Sequence, residues 1–172
     1  EDLTLTIHRG GKTHEQTYSD GKPTSKLKAV GKTDKTGTEV MFVPSATTFS
    51  NILFDYDILE ARLRELSFLN SGLKINLEDE RTSKKKEFLH KGGLAEFVAF
   101  LNKKRTTVNS IFHFVQESKD GITIEVSLQW NDGYQENIQC YTNNIKQRDG
   151  GTHLVGFRTA LTRTLNNYMD RE

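Results

Sequence analysis

The sequence predicts an α+β fold, and three patterns support that class. Alternating apolar residues at Leu3, Leu5 and Ile7 indicate a half-buried strand near the start of the chain. Leucines spaced three and four residues apart after Asp55 indicate an amphipathic helix. An apolar stripe that begins at Leu154 indicates a long helix near the end, with strand-like segments between the two helices. Such an order is typical of helices packed over a sheet.

Three strands are predicted in the first part of the chain. The strand at residues 3–7 is followed by the turn Gly10-Gly11 and by a second strand through Tyr18. A third strand runs from Gly37 to Val43 and ends at a proline. These strands offer few large side chains for a core of their own. We therefore expect them to belong to a larger sheet, and the chain to be an internal fragment.

From Asp55 onward the predicted order is helix, two strands, helix, three strands and helix. The first helix carries its leucines up to Leu69 and stops at Gly72. Thr152 is the expected N-cap of the last helix, whose apolar stripe runs through Leu165 to Tyr168. Between these helices we predict two strands, at residues 73–77 and through Phe88, and then a short helix at 94–101. Three more strands follow at 111–115, 122–130 and 137–141. We expect these strands to form a mixed sheet beneath the helices.

Composition excludes several broad classes of protein. The chain has 172 residues, 34% hydrophobic and 27% charged, which is the balance of a folded domain. Its length suits one domain, or one small domain with part of a neighbour. No apolar run approaches the length of a membrane span, so no membrane is expected as a partner. The single cysteine, Cys140, excludes a disulfide within the chain and fits a cytoplasmic location.

Few motifs carry chemistry by themselves. Gly150 and Gly151 precede a helix, where backbone N–H groups can cradle a phosphate, but no Walker lysine follows and a simple turn is favoured. Five scattered histidines lack metal-ligand spacing, so no metal site is predicted. Cys140 and Trp130 lie in strand-like runs, and core packing is favoured for both over a nucleophile or a base-stacking surface.

Positive charge is clustered locally although the net charge is only +1. One run of three cations occupies residues 84–86, a second occupies residues 103–105, and Arg158 and Arg163 lie on the last helix. For each cluster taken alone, a solvated surface is the favoured interpretation.

Four stretches carry more specific information. They are KTGTEVMFVP at residues 35–44, LRELSFLNSG at 63–72, LQWND at 128–132 and YTNNIKQRDGGTHLVGFR at 141–158. Together they resemble the B subunits of bacterial DNA gyrase, a type II DNA topoisomerase, and the resemblance runs from Leu3 to Glu172. Val43 stands where the family usually has tryptophan, and Lys146 where it usually has proline. Neither departure falls on a nucleotide contact.

The resemblance implies two domains and an ATP-dependent enzyme. Residues 1–53 would be the end of a GHKL (Bergerat) ATPase domain. Residues 54–172 would be a transducer domain of the ribosomal-protein-like mixed α/β fold, incomplete at its C-terminus. The full-length protein would negatively supercoil DNA, with the transducer relaying ATP binding and hydrolysis to the DNA gate. Alternatives are the B subunit of topoisomerase IV, another GHKL protein such as a MutL-type repair protein or a heat-shock chaperone, and a non-enzymatic nucleic-acid-binding module of the same fold.

The resemblance also implies roles for individual residues. Arg9, Thr38 and Val40 would form the floor of a nucleotide and aminocoumarin pocket, and Arg158 would line a cavity for transported DNA. The motifs that supply the magnesium ligand, the catalytic glutamate and the γ-phosphate lysine do not occur in this sequence. We therefore expect no catalytic residue in this chain and no bound cofactor, although ATP and magnesium would serve the full-length protein. Its partners would be the gyrase A subunit, double-stranded DNA and a second copy of the B subunit.

Overall fold

The computed structural model describes residues 1–171 and divides them into two compact units, Glu1–Asp55 and a second unit from Tyr56 onward. The first unit is an antiparallel sheet. The second contains three helices and several strand pairs, which confirms the α+β class. The described part of the chain has no helix that is both long and apolar enough to cross a bilayer.

The first unit is one five-stranded sheet in the order β3-β2-β1-β5, with β4 also paired to β2. The strands are β1 (Asp2–Arg9), β2 (Lys12–Ser19), β3 (Lys22–Pro23), β4 (Lys28–Lys32) and β5 (Gly37–Val43). The three predicted strands are confirmed as β1, β2 and β5. The sequence does not predict β3 and β4, because one is only a residue pair and the other lacks alternating apolar residues.

The turn between β1 and β2 requires its two glycines. Gly10 and Gly11 have φ angles of 60° and 74°, in the left-handed region that two-residue hairpin turns use. The turn sets a continuous register from Asp2↔Ser19 to Arg9↔Lys12. On its other side β1 pairs with β5, from Asp2↔Val43 to His8↔Gly37.

The second unit follows the predicted order of helices and strands with one difference in its last strands. Its elements are α1 (Tyr56–Leu69), β6 (Lys74–Asp79), β7 (Lys84–Leu89), α2 (Gly93–Leu101), β8 (Phe112–Glu117), β9 (Thr123–Leu128), β10 (Tyr141–Thr142), β11 (Ile145–Lys146) and α3 (Gly151–Met169). The strands pair as three separate antiparallel hairpins in place of one mixed sheet. The predicted strand at 137–141 is wrong except at Tyr141, because Ile138 is the one aliphatic residue in that run.

The core of the second unit is centred on Phe68 of α1. Phe68 is 1% exposed and stacks on His90 and on Phe97 of α2, with ring centroids 3.7 and 4.9 Å apart. Phe88 of β7 is 3% exposed, and the Arg64 guanidinium lies 5.9 Å from its ring centroid. Truncating a buried phenylalanine of this kind typically costs ~3–5 kcal/mol, so this cluster joins α1, α2 and the β6–β7 hairpin.

Three predictions, two about α3 and one about Trp130, are wrong. The N-cap of α3 is Gly150, which makes no side-chain cap hydrogen bond, so Thr152 lies inside the first turn. The stripe is partly buried through Leu161, but Leu165 is 47% exposed. Trp130 lies beyond the end of β9 and is 49% exposed, not packed in a core.

Candidate functional site

The residues predicted to form a pocket floor share one face of the first unit's sheet. Thr38 pairs with Ile7, and Val40 pairs with Leu5. Residues two apart along a strand point to the same face, so Arg9 lies on the face that carries Ile7 and Leu5. Arg9, Thr38 and Val40 are all exposed. This face therefore presents a guanidinium, a hydroxyl and a branched apolar side chain together.

The opposite face of the same strands holds a small polar cluster around His8. Its Nδ1 lies 3.1 Å from the Thr13 hydroxyl, and its Nε2 lies 3.2 Å from the Glu39 carboxylate. Glu39 is thus turned away from Arg9, Thr38 and Val40. Across the described residues, no three His, Cys, Asp or Glu side chains are grouped so that they could hold a metal ion.

Gly150 and Gly151 serve the backbone at the start of α3. Both have positive φ, at 80° and 68°. A Cβ on Gly150 would lie 2.6 Å from the Leu154 Cδ2, and one on Gly151 would lie 2.8 Å from the His153 Cε1. Side chains at these positions would be strained in φ and in space. The geometry favours the turn interpretation over a dedicated phosphate site.

The β10–β11 hairpin is held on α1 by a polar network. The Tyr141 hydroxyl donates to the Glu65 carboxylate, which also forms an ion pair with Arg62 at 3.0 Å. Arg62 donates to the Asn144 carbonyl oxygen at 3.1 Å, and the Asn144 amide donates to Asn70 at 2.9 Å. Burial and the bond to Glu65 raise the pKa of Tyr141 well above its usual range, so the phenol stays protonated. The network fixes the start of the segment that leads into α3.

Arg158 lies on the polar side of α3 and is half-exposed. Its guanidinium donates to the Glu136 carboxylate, and the two side chains are 53% and 63% exposed. The same side of the helix carries two arginines, two threonines and two asparagines, namely Arg158, Thr159, Thr162, Arg163, Asn166 and Asn167. Leu154, Phe157 and Leu161 lie on the partly buried side. The helix thus separates an apolar face from a cationic and amide-rich one.

The sequence does not point to Glu136 as the partner of Arg158. The two residues are 22 apart, and Glu136 lies in a segment without regular structure. Cys140 lies nearby and is partly buried. Desolvation raises the pKa of its thiol, although the charge of Arg158 opposes that shift. A raised pKa disfavours the thiolate, in keeping with the packing role predicted for this residue.

Comparison with known proteins identifies the family to which this chain belongs. The family model for DNA gyrase B matches residues 93–172. The DNA gyrase B subunit of Myxococcus xanthus is 44% identical over 171 residues, which is 99% of this chain and 21% of that protein. The chain belongs to the DNA gyrase B family. The DNA gyrase B subunit of Bacillus cereus is 47% identical over 169 residues, covering 97% of this chain and 42% of the relative.

A solved gyrase B structure has the same fold. The 43K ATPase domain of Thermus thermophilus gyrase B, determined in complex with an aminocoumarin, matches with a TM-score of 0.85 at 36% identity. The match covers 99% of this chain and 47% of that one. The chain therefore spans less than half the length of these gyrase B proteins. The predicted resemblance to gyrase B is confirmed.

Proposed function

We propose that this chain belongs to the ATP-hydrolysing subunit of a type II topoisomerase that negatively supercoils DNA. The observation that carries the proposal is 44% identity to a gyrase B protein along 99% of the chain. The partners that follow are the gyrase A subunit, double-stranded DNA and a second copy of the B subunit, in the cytoplasm. Residues 1–53 would be the end of the GHKL ATPase domain and residues 54–172 the transducer.

The face with Arg9, Thr38 and Val40 fits one wall of a nucleotide pocket in this proposal. A guanidinium and a hydroxyl can hydrogen-bond a base or an inhibitor, and Val40 is 57% exposed and can pack against its ring. The wall has no carboxylate for a magnesium ion among these strand residues, since Glu39 lies on the other face. ATP and magnesium would therefore need residues from elsewhere in the full-length protein.

We accordingly expect this chain alone to bind no ATP and to hydrolyse none. One open wall cannot surround a triphosphate, and its strand residues bring no carboxylate for magnesium. Calorimetric titration with a non-hydrolysable ATP analogue should give no saturable heat. Micromolar binding would contradict this expectation and show that the chain contains a nucleotide site of its own.

In the second unit, we propose that Arg158 contacts transported DNA. Arg158 is half-exposed, and a second arginine with threonine and asparagine side chains of α3 lies on the same side of the helix. Such a face can neutralise backbone phosphates without reading base sequence. This suits a transducer, which must accept any duplex and release it again.

The test is Arg158→Gln in the intact B subunit, in complex with the A subunit. DNA-stimulated ATP hydrolysis should fall. The slope of log affinity for duplex against log salt concentration should become about 0.9 less steep, since one phosphate contact disappears. Folding stability should change by no more than about 0.5 kcal/mol, because the site is on the surface. Lys85→Gln removes the same charge from β7 and is the control. Normal rates with an unchanged salt slope would remove Arg158 from the site.

A further inference from the structure

Two runs of three cations have similar sequences but different surroundings in the second unit. In the β7 run, residues 84–86, the Lys85 Nζ lies 2.6 Å from the Glu78 carboxylate across the hairpin. Lys84 lies over the Tyr56 ring, 5.1 Å from its centroid. The same hairpin also pairs Lys74 with Glu87 at 2.6 Å. One lysine of this run is thus paired with a carboxylate of its own hairpin, and a second lies against an aromatic ring of α1.

The second run, Lys103, Lys104 and Arg105, is not compensated in this way. All three side chains are exposed at the end of α2. Within residues 1–171, none of the three forms an ion pair with a carboxylate. We call these three residues the α2 cationic cluster. An exposed, unpaired cluster of this kind keeps its counterions in solution and can exchange them for phosphates.

An amide network makes the base of the α2 cationic cluster rigid. Asn102 donates to the Gln129 side chain at 2.9 Å and accepts from the Asn131 side chain at 2.8 Å. The residue that follows the cluster, Thr106, accepts from the Asp132 backbone N–H at 3.0 Å. The Thr106 backbone N–H donates in turn to the Asp132 carboxylate at 3.3 Å. The end of α2 and the segment after β9 are therefore held together.

The segment from Asp132 to Glu136 contacts both the end of α2 and Arg158. Asp132 contacts Thr106 beside the cluster, and Glu136 contacts Arg158 on α3. Four residues of chain span at most ~14 Å, so the cluster and the arginine flank one short segment. Tyr134 lies between the two contact points and is fully exposed. Both cationic groups thus border one exposed loop.

We propose that Lys103, Lys104 and Arg105 form a second phosphate-binding cluster, which with Arg158 binds the backbone of double-stranded DNA. The inference rests on the DNA role proposed for Arg158 and extends it from one helix to two. Contacts on both sides of the 132–136 segment would hold a duplex at more than one phosphate. They would fix its position without reading its sequence. The Tyr134 hydroxyl is placed to add a neutral hydrogen bond to the same backbone.

The experiment compares two triple variants of the intact B subunit, each in complex with the A subunit. One is Lys103→Gln, Lys104→Gln and Arg105→Gln. The other changes Lys84, Lys85 and Lys86 to glutamine and removes the same charge from β7. Affinity for a linear duplex of mixed sequence is measured across a salt series. The first variant should flatten the log–log salt slope by up to ~2.7, which is three contacts at about 0.9 each. Its affinity at low salt should fall at least ten-fold, and the β7 variant should stay near wild type.

The outcomes separate this inference from the proposal on which it rests. If Arg158→Gln flattens the salt slope but the two triple variants behave alike, the α2 cationic cluster is not a DNA site and Arg158 still is. If neither Arg158→Gln nor the first triple variant changes the slope, both ideas fail. Loss of binding to the gyrase A protein with unchanged duplex affinity would also overturn the inference, in favour of a protein partner. Matching thermal unfolding curves for the two variants exclude misfolding as the cause.

Discussion

Arg158 forms an ion pair with a carboxylate of its own chain, so a DNA phosphate would compete with that carboxylate for the guanidinium. A DNA phosphate that binds the guanidinium must displace Glu136, whose side chain is 63% exposed. An exposed ion pair is worth ~0–1 kcal/mol, so the displacement costs little. The ion pair therefore orients the Arg158 side chain, and a phosphate can replace Glu136 at little cost in free energy.

Replacing Glu136 with glutamine should therefore strengthen duplex binding, by up to about five-fold for a pair of this strength. Glu78→Gln breaks the comparable pair with Lys85 on the β6–β7 hairpin and should leave DNA affinity unchanged. In an Arg158→Gln background the gain should vanish, which a double-mutant cycle measures directly. A gain that persists in that background would mean that Glu136 acts through general repulsion and not through Arg158.

For single residues, the sequence predicts which positions belong to a site better than it predicts which side chains contact them. Resemblance singles out Arg9, Thr38 and Val40, and the strand register puts all three on one face. Glu136 carries no signal, because a surface ion pair between distant residues leaves no local pattern. The alternating residues before Trp130 predict a core position for it, but the strand ends at Leu128 and leaves its side chain outside.

Single elements can be tested through two glycines of α3. Gly150 has a φ of 80° and no room for a methyl group, so Gly150→Ala should destabilise the second unit by ~1–3 kcal/mol. Gly156 lies inside the helix, and a methyl group added there would meet nothing within 4 Å, so Gly156→Ala should stabilise it by ~0.5–1 kcal/mol. Urea unfolding followed by circular dichroism measures both. A neutral or stabilising Gly150→Ala would contradict the left-handed turn.

Elements with clear periodicity are predictable from the sequence, and those defined by distant contacts are not. The three helices and β1 repeat apolar residues at helical or strand spacing, while β2 follows from the Gly-Gly turn before it and β5 from a continuous apolar run that ends at a proline. The β10 and β11 strands are two residues each, and α1 holds them through Tyr141 and Asn144. No local window contains such a contact. The same limitation explains why the sequence alone cannot distinguish the α2 cationic cluster from the β7 run, since their ion pairs depend on the fold.

For the whole molecule, the distribution of the core predicts uneven stability. Among the described residues, the buried apolar side chains are Phe68, Phe88 and Phe97, all in the second unit. The first unit is a sheet of partly and fully exposed strands, and Ser45 is its one buried residue in the described chain. Local opening is easiest where few apolar contacts must be broken.

Amide hydrogen exchange should therefore be faster in β1 and β2 than in α1 and α2. Mass spectrometry of peptides from each unit, at a protein concentration that keeps the chain monomeric, gives the measurement. Dilution is the control, since pairing of a sheet edge with a second copy would slow exchange only at high concentration. Uniformly slow exchange in a dilute monomer would show that the first unit is as stable as the second.

Trp130 gives the chain a built-in optical probe. It is the sole tryptophan, it is 49% exposed, and it lies just before the segment that joins the α2 cationic cluster to Arg158. Its backbone N–H donates to the Asn109 side chain at 2.9 Å, and its carbonyl oxygen accepts from Val108 at 3.0 Å. Because the backbone is held, a change in emission would report what approaches the indole ring and not a loosening of the loop. In this chain, quenching by added duplex can follow ligand arrival without a dye or a label.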